Sequence, residues 1–295
     1  MGDYVLSCCS TADMPKEYFK KRDIAYLCFH YYLDGKLYLD DLGESMKFSD
    51  LYDKMAEGAE TQTSQPNVDE YTEYFEKFLA VGRDIIHLTL SSGISGANNS
   101  ANIAAGDLRE KYPDRKLIVI DSYAASGGFG LVMDKLADLR DEGMSIDELQ
   151  EFALNNRLKA HHWFFTTDLT YLVRGGRVSK VSGFFGNMLS ICPLLNVNNE
   201  GKLIPRFKIR TKKKVIEATV EQMLMHAENA NDYNGKCIIT HANCLEDAKA
   251  LASLIEEKIP ALKDKIDINF IGTTIGAHTG PGTVALFFWG DERTE

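Results

Sequence analysis

The sequence predicts an α/β protein with two domains, an N-terminal domain at residues 1–158 and a C-terminal domain at residues 159–295. In the first part, apolar strand segments alternate with polar loops and amphipathic helices, which is typical of a parallel sheet covered on both faces. From about residue 159, several strand segments follow one another without long helices between them, which favours a mixed sheet. A length of 295 residues is sufficient for two domains of ordinary size.

Periodicity places the elements of the N-terminal domain. Strands are predicted at residues 4–9, 24–31, 85–90 and 116–121. Helices are predicted at residues 48–59, 68–81, 97–112, 131–141 and 146–155. A hairpin turning at Asp34-Gly35 follows the second strand. Polar loops at residues 10–15, 61–66 and 91–96 are expected to collect at the carboxyl ends of the strands, where parallel sheets bind ligands.

The C-terminal domain is predicted from shorter segments. Its strands are expected at residues 162–166, 191–196, 202–210, 237–241, 266–271 and 284–289. Its helices are expected at residues 183–189, 213–229 and 245–257. The stretch at residues 276–283 is too rich in glycine for a simple core strand, so we expect a special backbone path there.

Composition and charge exclude several functional classes. Hydrophobic residues make up 44% of the chain and charged residues 26%, as in a soluble globular protein. No apolar run approaches the roughly 18 to 20 residues that span a bilayer, and the first residues lack a basic signal-peptide segment, so we expect a cytoplasmic protein. The net charge of -10 argues against nucleic acid as a partner. The six cysteines lack CxxC spacing, which predicts neither a zinc site nor a disulfide framework.

The turn after the third strand is the first candidate site. Backbone N–H groups at a strand–turn–helix junction, together with the hydroxyls of Ser91, Ser92 and Ser95, are suited to holding an anionic group. The same segment, Gly93-Ile94-Ser95-Gly96-Ala97, nearly fits the nucleophile elbow of serine hydrolases. A hydrolase using Ser95 and His278 and a purely structural turn are both alternatives at this point.

Two further segments carry groups that bind anions. His278 begins His278-Thr279-Gly280-Pro281-Gly282, where an imidazole can donate to an anion or move a proton. Arg174-Gly175-Gly176-Arg177 places two guanidinium groups around a flexible pair, although a helix end closed by glycine explains the same residues. The other histidines have no comparable context, and the pair at positions 161 and 162 has no cysteine or carboxylate at metal-ligand spacing. We therefore predict no metal site.

Two other segments are less specific. A basic run, Arg206 to Lys214, is either a solvated sheet edge or a docking patch for an acidic partner or an anionic membrane surface. The glycines at residues 126–130 miss the G-x-G-x-x-G spacing, and the chain contains no P-loop, so nucleotide binding has little support and no cofactor is predicted.

Six segments, in this order along the chain, closely resemble the DegV family. They are Ser10-Thr11-Ala12-Asp13, Thr63-Ser64-Gln65-Pro66, Ser91-Ser92-Gly93-Ile94-Ser95-Gly96, Ile120-Asp121-Ser122, Leu172-Val173-Arg174-Gly175-Gly176-Arg177-Val178 and His278-Thr279-Gly280-Pro281-Gly282. The resemblance implies a protein of two α/β domains that binds a long-chain fatty acid between them and is not itself an enzyme. It also implies that some members carry the acid for a fatty acid kinase, presenting the carboxyl group to a separate ATP-using subunit that forms an acyl phosphate.

The resemblance further implies which residues form the site. Thr63, Ser95 and His278 match the residues that hold the carboxylate in the family. Further candidates for the polar end are Ser92, Gly96, Arg174, Arg177 and Thr279. Candidates for an apolar tail pocket are Phe184, Phe185, Met188 and Leu189. Two hydroxyls and an imidazole N–H can satisfy a carboxylate buried in an apolar pocket.

One departure from the family concerns the first loop. Cys9 stands where the family usually has an aspartate, directly before Ser10-Thr11. The departure leaves open what the first loop does. A lipid sensor without a kinase partner, or a carrier of another small acid, also fits the sequence.

Overall fold

The computed structural model describes residues 4–178 and 191–295. The strands are β1 (Tyr4–Cys9), β2 (Ile24–Leu27), β3 (His30–Leu33), β4 (Lys36–Leu39), β5 (Thr61–Ser64), β6 (Asp84–Thr89), β7 (Leu117–Asp121), β8 (Ala160–Phe165), β9 (Ile191–Val197), β10 (Leu203–Arg210), β11 (Cys237–His241), β12 (Ile266–Phe270) and β13 (Val284–Trp289). The helices are α1 (Lys16–Lys21), α2 (Phe48–Ala56), α3 (Val68–Leu79), α4 (Ala97–Lys111), α5 (Ser126–Asp141), α6 (Ile146–Asn156), α7 (Thr170–Arg174), α8 (Lys212–His226), α9 (Leu245–Lys258) and α10 (Thr273–Thr279).

A four-stranded parallel sheet forms the centre of the first half. Its strand order is β2-β1-β6-β7, and every neighbouring pair is parallel. Strand β1 is buried along its whole length, as expected for a strand covered on both faces. The predicted parallel sheet is confirmed.

A six-stranded sheet forms the second half. Its order is β10-β9-β8-β13-β11-β12. The pairs are antiparallel except for β11 with β12, which run parallel. The predicted mixed sheet is confirmed.

A third, antiparallel sheet of order β4-β3-β5 corrects two predictions. The hairpin at Asp34-Gly35 is confirmed, and both residues take the positive φ angles that such a turn needs. The segment at residues 24–31 is not one strand, since β2 ends at Leu27 and β3 begins at His30. The segment at residues 61–66 is not wholly a loop, because residues 61–64 form β5 against β3.

Helix α5 joins the two large sheets. It begins at Ser126 and not at residue 131 as predicted, so the glycines at residues 127, 128 and 130 are helical. A Cβ atom on Gly127 would lie 2.7 Å from the Phe287 ring, and one on Gly128 would lie 2.1 Å from His162 Nε2. These glycines therefore allow the helix to pack closely against β8 and β13.

The hydrophobic core is continuous between the two halves. One cluster contains Leu88 from β6, Phe129 from α5 and Phe287 from β13. A second cluster lies between the six-stranded sheet and helices α8 and α9. The strands of the parallel sheet all precede residue 158 and those of the mixed sheet all follow residue 159, while the division into two domains there stays a prediction. None of the helices in the described ranges is long and apolar enough to cross a membrane.

Candidate ligand-binding site

Thr63 and His278 form the centre of the candidate site. Thr63 is held in β5, opposite Tyr31 of β3, and His278 lies in the last turn of α10. Their side chains are hydrogen-bonded, with 2.7 Å between Thr63 Oγ1 and His278 Nε2. Thr61 Oγ1 also donates to the carbonyl of Ala277 at 3.1 Å, which fixes the strand against the helix. The structure therefore brings together two residues that are 215 positions apart.

His278 is neutral and has unused hydrogen-bonding capacity. Burial lowers its pKa to about 4, and the charges of Arg177 and Arg174 act in the same direction. Its Nδ1 atom is buried and has no hydrogen-bond partner. The neutral imidazole and the Thr63 hydroxyl together have two donor hydrogens, of which their mutual bond uses one. One donor is thus left for a ligand, whichever tautomer is present.

The segment around His278 contains glycines for steric reasons. Gly280 and Gly282 take φ angles of +76° and +81°, which other residues rarely adopt. A Cβ atom on Gly280 would lie 2.2 Å from the Tyr171 ring. The special backbone path predicted at residues 276–283 therefore begins only after α10 ends at Thr279.

Ser95 lies in the turn between β6 and α4. Its hydroxyl donates to Gln65 Oε1 at 3.2 Å and accepts from the Ala97 N–H at 3.2 Å. A Cβ atom on Gly96 would lie 2.8 Å from Gln65 Oε1, so a larger residue there would displace the Gln65 amide. Gln65 thus connects the Ser95 turn to the loop that follows β5.

The geometry does not favour a serine hydrolase. Such an enzyme needs a hydrogen bond between the serine hydroxyl and the histidine. The Ser95 hydroxyl instead donates to Gln65, and His278 Nε2 is bonded to Thr63. Within the described residues, no carboxylate is bonded to the other ring nitrogen of His278.

The further candidates for the polar end differ in their positions. Arg177 donates to the carbonyls of Ile94 at 3.2 Å and Gly175 at 2.6 Å, and burial lowers its pKa. Arg174 lies over the Tyr171 ring and reaches Thr61 Oγ1 at 3.5 Å. Thr279 is buried, and its hydroxyl has no partner. Ser92 is exposed and its backbone N–H donates to Asp121, so it lies outside the site.

An apolar cavity of about 790 Å³, counted with the space at its mouth, has Thr63, Ser95 and His278 in its polar lining. Its apolar lining consists of Phe29, Leu90, Ile94, Ala125, Phe164, Leu172, Val197, Leu203, Ile271, Ile275, Ala285 and Phe287. Its polar lining consists of Thr63, Gln65, Ser95, Ser126, His162, Arg177, Thr274, His278, Thr279 and Thr283.

A polar cleft adjoins the cavity. Thr63, Arg177 and His278 line both spaces, whereas Arg174 lines only the cleft. The polar residues therefore stand at the junction between an apolar chamber and a polar opening.

The sequence prediction missed most of the cavity lining. Phe164 and Phe287 are strand residues that the sequence presents as ordinary core positions. The predicted tail residues Phe184, Phe185, Met188 and Leu189 lie outside the described residues. The only local signal for the cavity is the density of large apolar side chains in β8 and β13, which is equally typical of a filled core.

The first loop is bonded to its neighbours through groups other than Cys9. Cys9 is fully buried and contacts Tyr71 and His87 instead. Ser10 donates to Asp40 at 3.1 Å, and Asp13 accepts from Ser126 at 2.5 Å. Burial raises the pKa values of both aspartates.

The basic run extends from β10, at one edge of the mixed sheet, into the first turn of α8. The pairing register skips Arg206, which donates to Asn196 Oδ1 at 2.8 Å. Lys212 forms an ion pair of 2.6 Å with Asp247. The alternation of side chains along β10 is therefore interrupted at Arg206.

The fold and the site together define a class, an α/β protein with a parallel sheet and a mixed sheet whose apolar cavity ends in a cluster of hydrogen-bonding groups. Residues 9–291 match the family described as "Uncharacterised protein, DegV family". The chain belongs to the DegV family.

Two relatives extend over nearly the whole chain. A DegV domain-containing protein of Clostridium perfringens is 38% identical over 293 residues, which is 99% of each chain. A protein of Thermotoga maritima named fatty acid-binding protein is 32% identical over 282 residues, which is 94% of each chain.

Two solved structures share the fold. The DegV lipid-binding protein of Thermotoga maritima superposes with a TM-score of 0.83 at 28% identity and covers all of both chains. The Streptococcus pneumoniae fatty acid kinase (Fak) B3 protein loaded with linoleic acid has a TM-score of 0.83 at 24% identity and covers 99% of this chain and 100% of its own.

Proposed function

We propose that this protein binds a long-chain fatty acid in the apolar cavity and holds the carboxylate with Thr63, Ser95 and His278. The observation that carries the proposal is the Thr63–His278 pair, which stands at the junction of the cavity and the polar cleft and has one donor to spare. An apolar chamber suits the acyl tail. A buried carboxylate needs hydrogen-bond donors. The Thr63–His278 pair can supply one, and the Ser95 hydroxyl can supply a second by rotating from Gln65 Oε1 to the ligand.

The names of the relatives support the same ligand. The Thermotoga maritima relative, at 32% identity, is named a fatty acid-binding protein. The chain carries the DegV segments in order, and four of the six, at residues 63–66, 91–96, 172–178 and 278–282, contribute side chains to the lining of one cavity.

We further propose that the bound acid is presented to a separate ATP-dependent kinase in the cytoplasm, which forms an acyl phosphate. The polar cleft beside Thr63 and His278 supports this step, because it gives a second protein a route to the carboxyl group. Arg174 and Arg177 line the cleft and can offset the negative charge of a phosphoryl group. The basic segment at residues 206–214 stays a candidate for contact with an acidic partner or an anionic membrane. A lipid sensor without a kinase is the alternative.

Mass spectrometry of an organic extract of the purified protein tests the ligand. We expect a co-purifying long-chain acid and saturable binding of added oleate. Ser95→Ala should weaken oleate binding by about 1 to 3 kcal/mol, because a carboxylate oxygen loses a donor. Ser49→Ala on α2 is the matched control. A protein that neither carries nor binds such an acid would exclude the proposal.

Two assays separate the alternatives. Labelling of Ser95 by a fluorophosphonate, with turnover of a simple ester, would identify a hydrolase. Incubation of the loaded protein with a bacterial fatty acid kinase and ATP, followed by trapping with hydroxylamine, should yield a hydroxamate. Oleate binding without any hydroxamate would support the sensor.

A further inference from the structure

Three potential metal ligands meet at a place remote from the fatty-acid cavity in sequence and lining. His161 is in β8, His226 is the last residue of α8, and Asp291 follows β13. None of them lines the cavity. His161 is 65 positions from His226 and 130 positions from Asp291, so spacing in the sequence does not group the three residues.

The distances suit a single ion. One ligand atom from each residue lies within 4.8 Å of those of the other two. His161 Nε2 is 2.9 Å from Asp291 Oδ1, and His226 Nδ1 is 3.1 Å from the same oxygen. Ligand atoms around one tetrahedral zinc ion are about 3 to 4 Å apart, given metal–ligand bonds of about 2.0 to 2.2 Å.

The surroundings also suit a metal. His161 is buried, with 5% of its side chain exposed. His161 packs on the Phe288 ring with the planes inclined by 6°, so its orientation is fixed. His226 and Asp291 line an open cleft on the surface, which leaves room for water or another ligand at the remaining position.

We propose that His161, His226 and Asp291 bind one divalent transition-metal ion of the zinc class. Two imidazoles and one carboxylate are a ligand set that zinc accepts with a fourth, exchangeable position. The bound ion connects the end of α8 to the C-terminal segment through Asp291.

The C-terminal segment gives the ion a structural role. Arg293, two residues after Asp291, is buried and donates to the carbonyls of Leu158, Val197 and Asn198. An ion on Asp291 therefore fixes the segment that supports the turn between β9 and β10. The competing explanation of the cluster is hydrogen bonding alone: His161 Nε2 donates to the main-chain carbonyl of Asp291 at 2.9 Å, and His226 Nδ1 donates to the Asp291 carboxylate at 3.1 Å.

Metal binding by the full chain, stripped with a chelator and then dialysed, tests the proposal. Titration with Co²⁺ should produce visible absorption bands that saturate at one ion per chain. Added Zn²⁺ should displace the Co²⁺ and remove the bands. His226→Gln and Asp291→Asn should each weaken Zn²⁺ binding at least tenfold. Both side chains are partly exposed, so neither change creates a buried cavity.

His30→Gln is the matched control, because it also removes a histidine that contacts a carboxylate, Glu70, at 2.9 Å. It should bind Zn²⁺ as the wild type does. Zn²⁺ should raise the Tm of the wild type and of His30→Gln and leave those of the two ligand variants unchanged. The proposal is overturned if the wild type binds Zn²⁺ no more tightly than His226→Gln and Asp291→Asn, or if His30→Gln weakens binding equally.

Discussion

Replacing Thr63 by valine tests the polar end of the cavity most directly. Valine keeps the shape and β-branching of threonine, so β5 should be unaffected. The change removes the hydroxyl bonded to His278 Nε2 at 2.7 Å. The pair then has one donor hydrogen in place of two, and the carboxylate either loses a donor or binds an imidazole that is less well oriented.

The magnitude follows from that loss. Leaving a buried acceptor without its donor costs about 1 to 3 kcal/mol, which corresponds to roughly 5- to 150-fold weaker binding at 25 °C. The assay is equilibrium titration of delipidated protein with a fluorescent analogue of oleate. Thr72→Val is the matched control, because the Thr72 hydroxyl bonds only the Val68 carbonyl within α3. If folded Thr63→Val binds the analogue as tightly as Thr72→Val does, the assignment of the carboxylate to this pair is refuted.

Three other predictions concern the site and the core. Gly175→Ala should weaken oleate binding at least tenfold, since the new Cβ would lie 2.2 Å from His278 Nδ1, whereas Gly106→Ala on α4 meets no atom within 4 Å and should bind normally. Equal affinities in the same titration would contradict this contact. Ala285→Leu places a larger side chain in the cavity lining and should favour shorter acids in a competition between decanoate and oleate; an unaltered preference would count against a tail in this cavity. Burial lowers the pKa of His87 from 6.5 to about 3, so its neutral form stabilises the fold above pH 6.5, and this contribution is lost as the pH falls from 6.5 toward 3. Between pH 6 and 4, the free energy of unfolding in urea should fall by about 1.4 kcal/mol per pH unit more steeply in the wild type than in His87→Gln, and parallel pH profiles would rule out a buried neutral His87.

The pattern of apolar and polar residues correctly predicted the strands and helices that depend only on neighbouring residues in the sequence. The strands at residues 4–9 and 237–241 are apolar enough to be found from the sequence alone, and the structure has both with these bounds. Helix α3 can also be predicted from the sequence, because it combines apolar residues at four-residue spacing with a capping box at Asn67 and Glu70. These features depend on residues within a few positions of one another.

The failures occur where a distant partner determines the structure. Residues 61–64 are Thr-Gln-Thr-Ser, which has no apolar alternation, and they form a strand because β3 offers hydrogen bonds. The glycines at residues 127 and 128 disfavour a helix intrinsically. They are nevertheless helical, and glycine is needed at both positions because a larger side chain would collide with Phe287 or His162 where the helix packs on the sheet. In both cases the tertiary contact outweighs the local preference.

The candidate site was partly predictable for the same reason. Thr63, Ser95 and His278 are in segments with unusual composition, and these segments can be found individually. Their meeting at one end of a cavity cannot be deduced from spacing, and only the family resemblance connected them. His161 and His226 lie in segments of ordinary composition, so neither composition nor resemblance indicated that they meet Asp291.

The position of the site connects ligand binding to the packing of the chain. Thr63 and Ser95 precede residue 158, whereas His278 follows residue 159, so the three groups can face one carboxylate only when both halves are in place. The Thr63–His278 bond and the bond from Thr61 to Ala277 hold that arrangement. A fatty acid bound as proposed adds contacts to residues of both halves. At a free concentration one hundred times its dissociation constant, the acid stabilises the packed state by about 2.7 kcal/mol. In the proposed binding mode, the polar end of the cavity therefore both recognises the acid and holds the two halves together.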